Sequence, residues 1–341
     1  MQYTRLGNCG LIVSRLGLGM MSYGNTSRRA WHLAEEGAEP IVRRAVEAGV
    51  TLFDTADMYD RGASEEVTGR LLAKLFDDRD DYVLATKVYY PMSEKPGDRG
   101  LSRKHILASV DASLRRLGTD HIDLYQIHRW DDETPIEETM EALDAVVRAG
   151  KVRYLGASSM YAWQFAKAQY TATLAGGTRF VAMQNHYNLI YREEEREMIP
   201  LCLDQGVGVL PYSPLARGLL AGGRARGGER TTTRSGTDPL ADALYTEADF
   251  DIIDTLRTVA SELGLPPAQT ALAWLLGKEG VSAPIVGATR LTHLQDAVAA
   301  LDVTLSPEQV ERLEADYRPH PVAGSQQPAL RHQRPVFRRT S

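Results

Sequence analysis

Short apolar runs recur along the chain from about residue 16, and longer segments with apolar residues at helical spacing lie between them. This alternation is typical of β–α–β units, in which helices join parallel strands. The predicted strands are residues 16–19, 51–53, 82–86, 122–127, 152–157, 181–184, 208–210 and 284–286. Eight parallel strands can close into a barrel. The sequence therefore predicts an α/β chain with the (β/α)8 TIM-barrel fold.

Two of the connecting segments carry clear helical patterns. Residues 103–117 and 136–148 place their apolar side chains on one side of a helix. Ahead of the first barrel strand, residues 3–13 contain two strand-like pieces around Gly7 and Gly10, a pattern that predicts a β-hairpin at one end of the barrel. After the last barrel strand, we expect further helices and a tail at the C-terminal end of the chain.

The domain organisation follows from the same pattern. We expect residues 1–320 to form a single barrel domain. Residues 222–244 are rich in Gly, Arg and Thr and too long for a simple connection, so they are interpreted as a mobile loop. Residues 321–341 contain no acidic residue and are interpreted as a flexible tail.

The composition excludes several classes of protein. With 43% hydrophobic and 25% charged residues the chain can bury a substantial core. Its formal net charge of −6 gives no reason to expect a nucleic-acid partner. No apolar run approaches membrane-spanning length, the N-terminus lacks a secretory pattern, and Cys9 and Cys202 form no disulfide framework. We therefore expect a cytoplasmic protein with no membrane partner.

Polar residues follow three consecutive predicted strands. Asp54, Lys87 and His128 each stand directly after a strand, and Tyr59 lies five residues after Asp54 in the next loop. Functional groups of α/β barrels lie at the carboxyl ends of the strands, so these four side chains are expected to share one mouth. Several apolar and aromatic residues also follow strand ends and as a set could line a substrate pocket: Met20, Met21, Tyr23, Tyr89, Tyr90 and Trp130. Of these, Tyr23, Tyr89 and Trp130 are the candidate substrate-binding residues.

The chemistry of these four residues is mutually consistent. A tyrosine is a poor acid at neutral pH, so the ammonium of Lys87 is expected to lower the pKa of Tyr59. A buried ammonium needs a compensating charge, which Asp54 offers. His128 could hydrogen-bond a substrate carbonyl or share the proton with Tyr59.

Several segments together resemble the aldo-keto reductase superfamily from about residue 3 to about residue 320. They are FDTADMYDRGASEE, LATKV, SLRRLGTDHIDLYQIHRWD, GKVRYLGASS, MQNHYNL, PYSPLARGLL and APIVGATR. IHRWD, TPIEET, HYNLIYREEEREM and YRPHPVAG most resemble the bacterial branch that includes a reductase named as a 1-deoxyxylulose-5-phosphate synthase.

This resemblance implies an oxidoreductase that reduces aldehydes or ketones with hydride from the nicotinamide of NADPH. It implies a catalytic tetrad of Asp54, Tyr59, Lys87 and His128, with Tyr59 as the proton donor. The implied cofactor contacts are Met21, Asp54, Ser158, Ser159, Gln184, Tyr212, Ser213, Pro214, Leu215, Ala216, Gly218, Gly287, Thr289, Arg290, His293 and Asp296. Of these, Ser159 stands where many relatives carry Asn, and His293 and Asp296 also depart from the usual adenine contacts.

The same residues are compatible with other functions. A metal site at Asp54, Asp57, Asp60 and His128 is disfavoured because Lys87 would oppose a cation, so no metal is expected. Lys87 could instead form a Schiff base in a lyase, but an amine held against a carboxylate stays charged. A cofactor-binding regulatory subunit is the non-enzymatic alternative. The physiological carbonyl substrate and the oligomeric state remain open.

Overall fold

The computed structural model describes residues 1–224, 226–227 and 244–322 of the 341-residue chain. Most of the predicted mobile loop 222–244 and nearly all of the predicted tail 321–341 lie outside the described residues.

The barrel is built from one parallel sheet, preceded by a short hairpin. The hairpin strands are β1 (Tyr3–Arg5) and β2 (Ile12–Ser14). The strands of the barrel are β3 (Gly17–Gly19), β4 (Leu52–Asp54), β5 (Val83–Val88), β6 (Ile122–Ile127), β7 (Val152–Ser158), β8 (Phe180–Gln184), β9 (Gly208–Val209) and β10 (Ile285–Gly287). Their order in the sheet is β10-β3-β4-β5-β6-β7-β8-β9, with every neighbouring pair parallel.

Backbone hydrogen bonds join the two edges of this sheet. The amide of Ile285 donates to the carbonyl of Pro211 at 2.8 Å, and the amide of Ser282 donates to the carbonyl of Val209 at 2.9 Å. Because the last strand thus bonds to the chain around β9 as well as to β3, the sheet closes on itself. The predicted (β/α)8 barrel is confirmed.

Helices surround the barrel. In the described residues they are α1 (Glu35–Glu47), α2 (Ala63–Leu75), α3 (Arg103–Leu117), α4 (Ile136–Arg148), α5 (Ala162–Leu174), α6 (Met198–Gln205), α7 (Asp249–Leu263), α8 (Pro267–Leu276), α9 (Leu291–Ala299) and α10 (Pro307–Glu314). The helix α3 begins where the Ser102 hydroxyl accepts from the His105 amide, and it ends at Gly118 in the left-handed conformation (φ 67°). None of the described helices combines the length and the hydropathy needed to cross a lipid bilayer.

The N-terminal hairpin packs against the amino ends of the barrel strands, as the sequence predicts. Its Leu6 and Val13 are fully buried in a cluster with Leu52, Leu124 and Leu210. The turn approaches the barrel so closely that a Cβ on Gly7 would lie 2.3 Å from the carbonyl oxygen of Gly206. This contact leaves the carboxyl ends of the strands as the open mouth. We propose that residues 1–320 form one domain on this frame.

Three polar residues expected just beyond a strand lie within one. Asp54 is the last residue of β4, Lys87 the penultimate residue of β5, and Ser158 the last residue of β7. Backbone pairing in a parallel ladder places no requirement on the side chain, so the ladder can continue through a polar residue that faces the barrel mouth. The apolar run therefore ends before the strand does.

Candidate active site

Asp54 is the centre of the hydrogen-bond network at the barrel mouth. Its Oδ1 accepts from Lys87 Nζ at 2.5 Å. Its Oδ2 accepts from Gln126 Nε2 at 3.1 Å and from Gln184 Nε2 at 2.8 Å. Both oxygens of this buried carboxylate are therefore paired, as a charge at a low-dielectric position requires.

Lys87 is fully buried beside that carboxylate. Besides Asp54, its Nζ donates to the carbonyl of Thr55 at 2.8 Å. Burial alone would lower the pKa of Lys87, but the charge of Asp54, together with its hydrogen bond and the neighbouring Tyr59, raises the pKa above its ordinary value. The amine thus remains an ammonium at neutral pH.

Tyr59 lies over this ion pair. It opens the turn Tyr59–Gly62, in which Asp60 and Arg61 take left-handed backbone angles (φ 50° and 53°) that fold the chain back toward the mouth. The ring centre of Tyr59 is 5.1 Å from Lys87 Nζ.

The expected lowering of the pKa of Tyr59 is wrong in its net direction. Burial raises the pKa of Tyr59 by more than the charge of Lys87 lowers it, with Asp54 adding to the rise. The phenol therefore keeps its proton at neutral pH. Lys87 opposes the rise, so its contribution is to stabilise the phenolate once the proton has left.

His128 follows β6 and faces Tyr59 edge-on. The ring centres are 5.7 Å apart, and the ring of Tyr90 lies 5.0 Å away on another side. Burial and then the charges of Lys87 and Arg129 hold the pKa of His128 well below its ordinary value. Its buried Nδ1 has no hydrogen-bond partner within the part of the chain that the structure covers. The imidazole is therefore neutral at pH 7.

A second wall of the mouth brings together four residues predicted to contact a cofactor. The Ser158 and Ser159 hydroxyls are 3.2 Å apart, and that of Ser159 donates to the hydroxyl of Tyr212 at 3.3 Å. The Ser159 amide donates to the carbonyl of Gln184 at 3.2 Å, and Ser159 has a left-handed backbone (φ 50°). The side-chain nitrogen Nε2 of Gln184 donates to Asp54, so Gln184 connects this second wall to the Asp54–Lys87 ion pair.

The loop after Tyr212 has an unusual backbone. Ser213, Ala216 and Arg217 have positive φ angles of 50°, 48° and 57°, and Gly218 has a φ of 100°. Such angles cost of order 1–3 kcal/mol at each residue that is not glycine, and they cluster in ligand clamps. Pro214 and Leu215, which are also predicted cofactor contacts, belong to the same loop.

The remaining predicted cofactor contacts lie around the N-terminus of α9. Gly287, the last residue of β10, and Arg290, the N-cap residue of α9, are exposed. The amide of Thr289 donates to His293 Nδ1 at 3.4 Å. Asp296 accepts from Gln269 Nε2 at 2.9 Å, so its carboxylate is oriented by α8.

The candidate substrate residues differ in their burial. Tyr89 and Trp130 are half-buried, as is Met21, which is a predicted cofactor contact. Tyr23 is fully buried and its hydroxyl donates to the carbonyl of Ala288 at 2.8 Å. The hydroxyl of Tyr23 is therefore bound by the chain itself, and its role toward a substrate stays a prediction.

Sequence reasoning missed two residues of this mouth. Gln126 lies two positions before His128, on the same face of the chain, and this period of two could have indicated it. Arg129 stands next to His128 and donates to its backbone carbonyl. No simple pattern marks Arg129, because adjacent loop residues carry no fixed side-chain direction.

Comparison with known proteins gives a consistent result. The model of the aldo/keto reductase family matches residues 15–318. Versiconal hemiacetal acetate reductase of Aspergillus parasiticus is 45% identical over 343 residues, covering 94% of this chain and 98% of that protein. A putative aryl-alcohol dehydrogenase of Schizosaccharomyces pombe is 42% identical, covering 94% and 97%, and one of Saccharomyces cerevisiae is 40% identical, covering 92% and 96%. These relatives are fungal and do not support the predicted placement in the bacterial branch.

Proposed function

The chain belongs to the aldo/keto reductase family, and on this premise we propose that it reduces an aldehyde or ketone to the alcohol with NADPH, using Tyr59 as the proton donor. The observation that carries the proposal is the arrangement of Asp54, Lys87, Tyr59 and His128 at one mouth. The ammonium of the buried Asp54–Lys87 ion pair lies 5.1 Å from the ring centre of Tyr59, whose phenol keeps its proton. The neutral imidazole of His128 lies beside that phenol.

The residues around the mouth fit a nicotinamide dinucleotide. The left-handed backbone at 213–218 offers a concave run of chain for a pyrophosphate. The exposed Arg290 at the N-terminus of α9 offers a guanidinium and a helix dipole for the 2′-phosphate that distinguishes NADPH from NADH. Ser158 and Gln184 would hold the carboxamide of the nicotinamide, and Tyr212 would stack on its ring. Bound there, the nicotinamide supplies the hydride.

The proton is handled by the chain itself. As the carbonyl carbon gains a hydride, its oxygen becomes basic, and the Tyr59 hydroxyl donates its proton to that oxygen to complete the alcohol. The phenolate that remains is stabilised by the ammonium of Lys87, which Asp54 keeps charged. His128, uncharged, would orient the carbonyl by a hydrogen bond without competing as an acid.

The same geometry argues against a Schiff-base lyase. That reaction needs a neutral amine, whereas the contacts of Lys87 raise its pKa. The names of the relatives, which include a reductase and aryl-alcohol dehydrogenases, also support interconversion of carbonyl and alcohol.

The test is NADPH consumption with a panel of small aldehydes that includes 4-nitrobenzaldehyde, together with a direct measurement of NADPH binding. We expect both tight binding and turnover. Tight binding with no turnover of any aldehyde would favour a cofactor-binding regulatory subunit instead. Trapping of a covalent adduct on Lys87 by borohydride would favour the lyase.

A further inference from the structure

Arg129 lies at the barrel mouth beside the proposed catalytic residues. It follows His128 directly, is half-buried, and donates from Nη1 to the backbone carbonyl of His128 at 2.8 Å. Its guanidinium carbon is 5.7 Å from the ring centre of Tyr90, which in turn contacts the His128 ring. These contacts hold the guanidinium close to the face where a carbonyl substrate would approach.

No carboxylate in the described part of the chain neutralises the charge of Arg129. Three other half-buried arginines, Arg79, Arg116 and Arg192, each form an ion pair with a carboxylate at 3.1 Å or less. The guanidinium of a fourth, Arg15, is held instead by three backbone carbonyls, those of Leu276, Val281 and Ser282. Arg129 forms no ion pair with any carboxylate in residues 1–224, 226–227 and 244–322.

The acidic residue nearest in sequence is already occupied. Asp131 accepts from the Leu101 amide and the Thr134 hydroxyl, both at 2.7 Å, and these contacts hold it within its own loop. A partly desolvated cation without an anion is unfavourable, and the deficit disappears when an anionic ligand binds.

The field of this guanidinium reaches several sides of the mouth. Burial is the main cause of the pKa shifts of His128, Tyr59 and Tyr212. The charge of Arg129 adds to the lowering of the pKa of His128, and it opposes the rise in the pKa of the two tyrosines. These residues follow three different barrel strands. The guanidinium therefore lies within electrostatic range of side chains from three sides of the mouth, and it contacts the side where His128 and Tyr90 meet.

We propose that Arg129 binds an anionic group of the substrate, so that the preferred substrates are carbonyl compounds that also carry a carboxylate or a phosphate. This inference rests on the proposed reductase function and specifies its substrate class. The planar guanidinium fork matches the paired oxygens of either anion and binds them through charge-assisted hydrogen bonds. The rings of Tyr89, Tyr90 and Trp130 would cover the apolar body of such a substrate.

The experiment compares matched charged and neutral substrates. The first pair is 4-carboxybenzaldehyde and its methyl ester, and the second is glyceraldehyde 3-phosphate and glyceraldehyde. For each pair the ratio of kcat/KM, charged over neutral, is measured in the wild-type chain, Arg129→Leu and Arg129→Lys. The matched control is Arg153→Leu, since Arg153 also donates to a nearby backbone carbonyl but lies in β7 near its amino end, away from the mouth.

We expect the ratio to exceed one in the wild type for at least one pair and to fall about ten-fold or more in Arg129→Leu, as expected for a lost charge-assisted contact. Arg129→Lys should recover part of the lost preference for the charged substrate, and Arg153→Leu should leave the ratio at its wild-type value. A ratio that Arg129→Leu does not alter in either pair would overturn the proposal. So would a variant whose main defect is a raised KM for NADPH, which would assign Arg129 to the cofactor.

A binding measurement separates this inference from the proposed function. Calorimetry compares benzoate with methyl benzoate on the full chain, with and without NADP+. If no aldehyde is reduced, the reductase proposal fails. The anion site then still stands if benzoate binds the wild type about ten-fold more tightly than it binds Arg129→Leu, and it fails if the two affinities are equal.

Discussion

The Nζ atom of Lys87 lies 2.5 Å from Oδ1 of Asp54 at a position where both side chains are almost completely removed from solvent. Two glutamine side chains complete the shell of the carboxylate, and the carbonyl of Thr55 accepts a second hydrogen bond from the ammonium. The charge pair is thus part of the barrel core as well as of the candidate active site.

This pairing predicts that removing one partner destabilises the fold more than removing both. Lys87→Met leaves a buried carboxylate without its cation and should lower the free energy of unfolding by about 3–5 kcal/mol. Adding Asp54→Asn removes the orphaned charge and should restore much of that loss. Urea unfolding of both single variants and the double variant provides the test, and simple additivity of the two losses would contradict it.

The directions of the pKa shifts predict the pH dependence of reduction. A depressed pKa keeps His128 uncharged through neutral pH, and a raised pKa keeps Tyr59 protonated until above its ordinary value of about 10. We therefore expect kcat/KM for aldehyde reduction to be nearly constant from about pH 6 to about pH 9. An ionisation near pH 6.5 that disappears in His128→Gln would show that the imidazole titrates in this range, contrary to this account.

Arg290 should control the choice of cofactor. Under the proposed function its exposed guanidinium would pair with the 2′-phosphate of NADPH, which NADH lacks, so Arg290→Ala should weaken NADPH binding by about 1–3 kcal/mol and leave NADH binding nearly unchanged. Fluorescence titration with both cofactors measures the difference. Arg312→Ala, which removes an exposed arginine paired with Glu262, is the control. Equal losses for the two cofactors would refute the assignment.

Two helical glycines should respond oppositely to the same substitution. A Cβ on Gly69 of α2 would lie 2.2 Å from the carbonyl oxygen of Leu117, so Gly69→Ala must displace α3 and should cost about 1–3 kcal/mol or more. A Cβ on Gly37 of α1 would have as its nearest neighbour a side-chain carbon of Leu33 at 3.6 Å, which is an ordinary contact distance. Gly37→Ala should therefore stabilise the chain by up to about 1 kcal/mol through helix propensity. Thermal unfolding distinguishes them, and similar shifts in Tm would contradict the close approach.

The sequence predicts the barrel because strand and helix periods are local properties, and Asp54, Lys87 and His128 stand out because they interrupt or follow apolar runs. It does not predict that Gln126 and Gln184 both bind Asp54, since they follow it by 72 and 130 positions and only barrel closure brings them together. The pKa of Tyr59 depends on a balance between burial and one charge, and burial is a tertiary quantity. Nor does it predict the hydrogen bond from the Tyr23 hydroxyl to the carbonyl of Ala288, 265 positions away.

The most direct test of the central claim is Tyr59→Phe, which deletes the hydroxyl over the ion pair and keeps the ring. NADPH affinity and the rate of NADPH oxidation with 4-nitrobenzaldehyde are measured side by side. If Tyr59 is the proton donor, affinity should stay within about two-fold while the rate falls by about 10²-fold or more. A variant that reduces the aldehyde at the wild-type rate would contradict the mechanism.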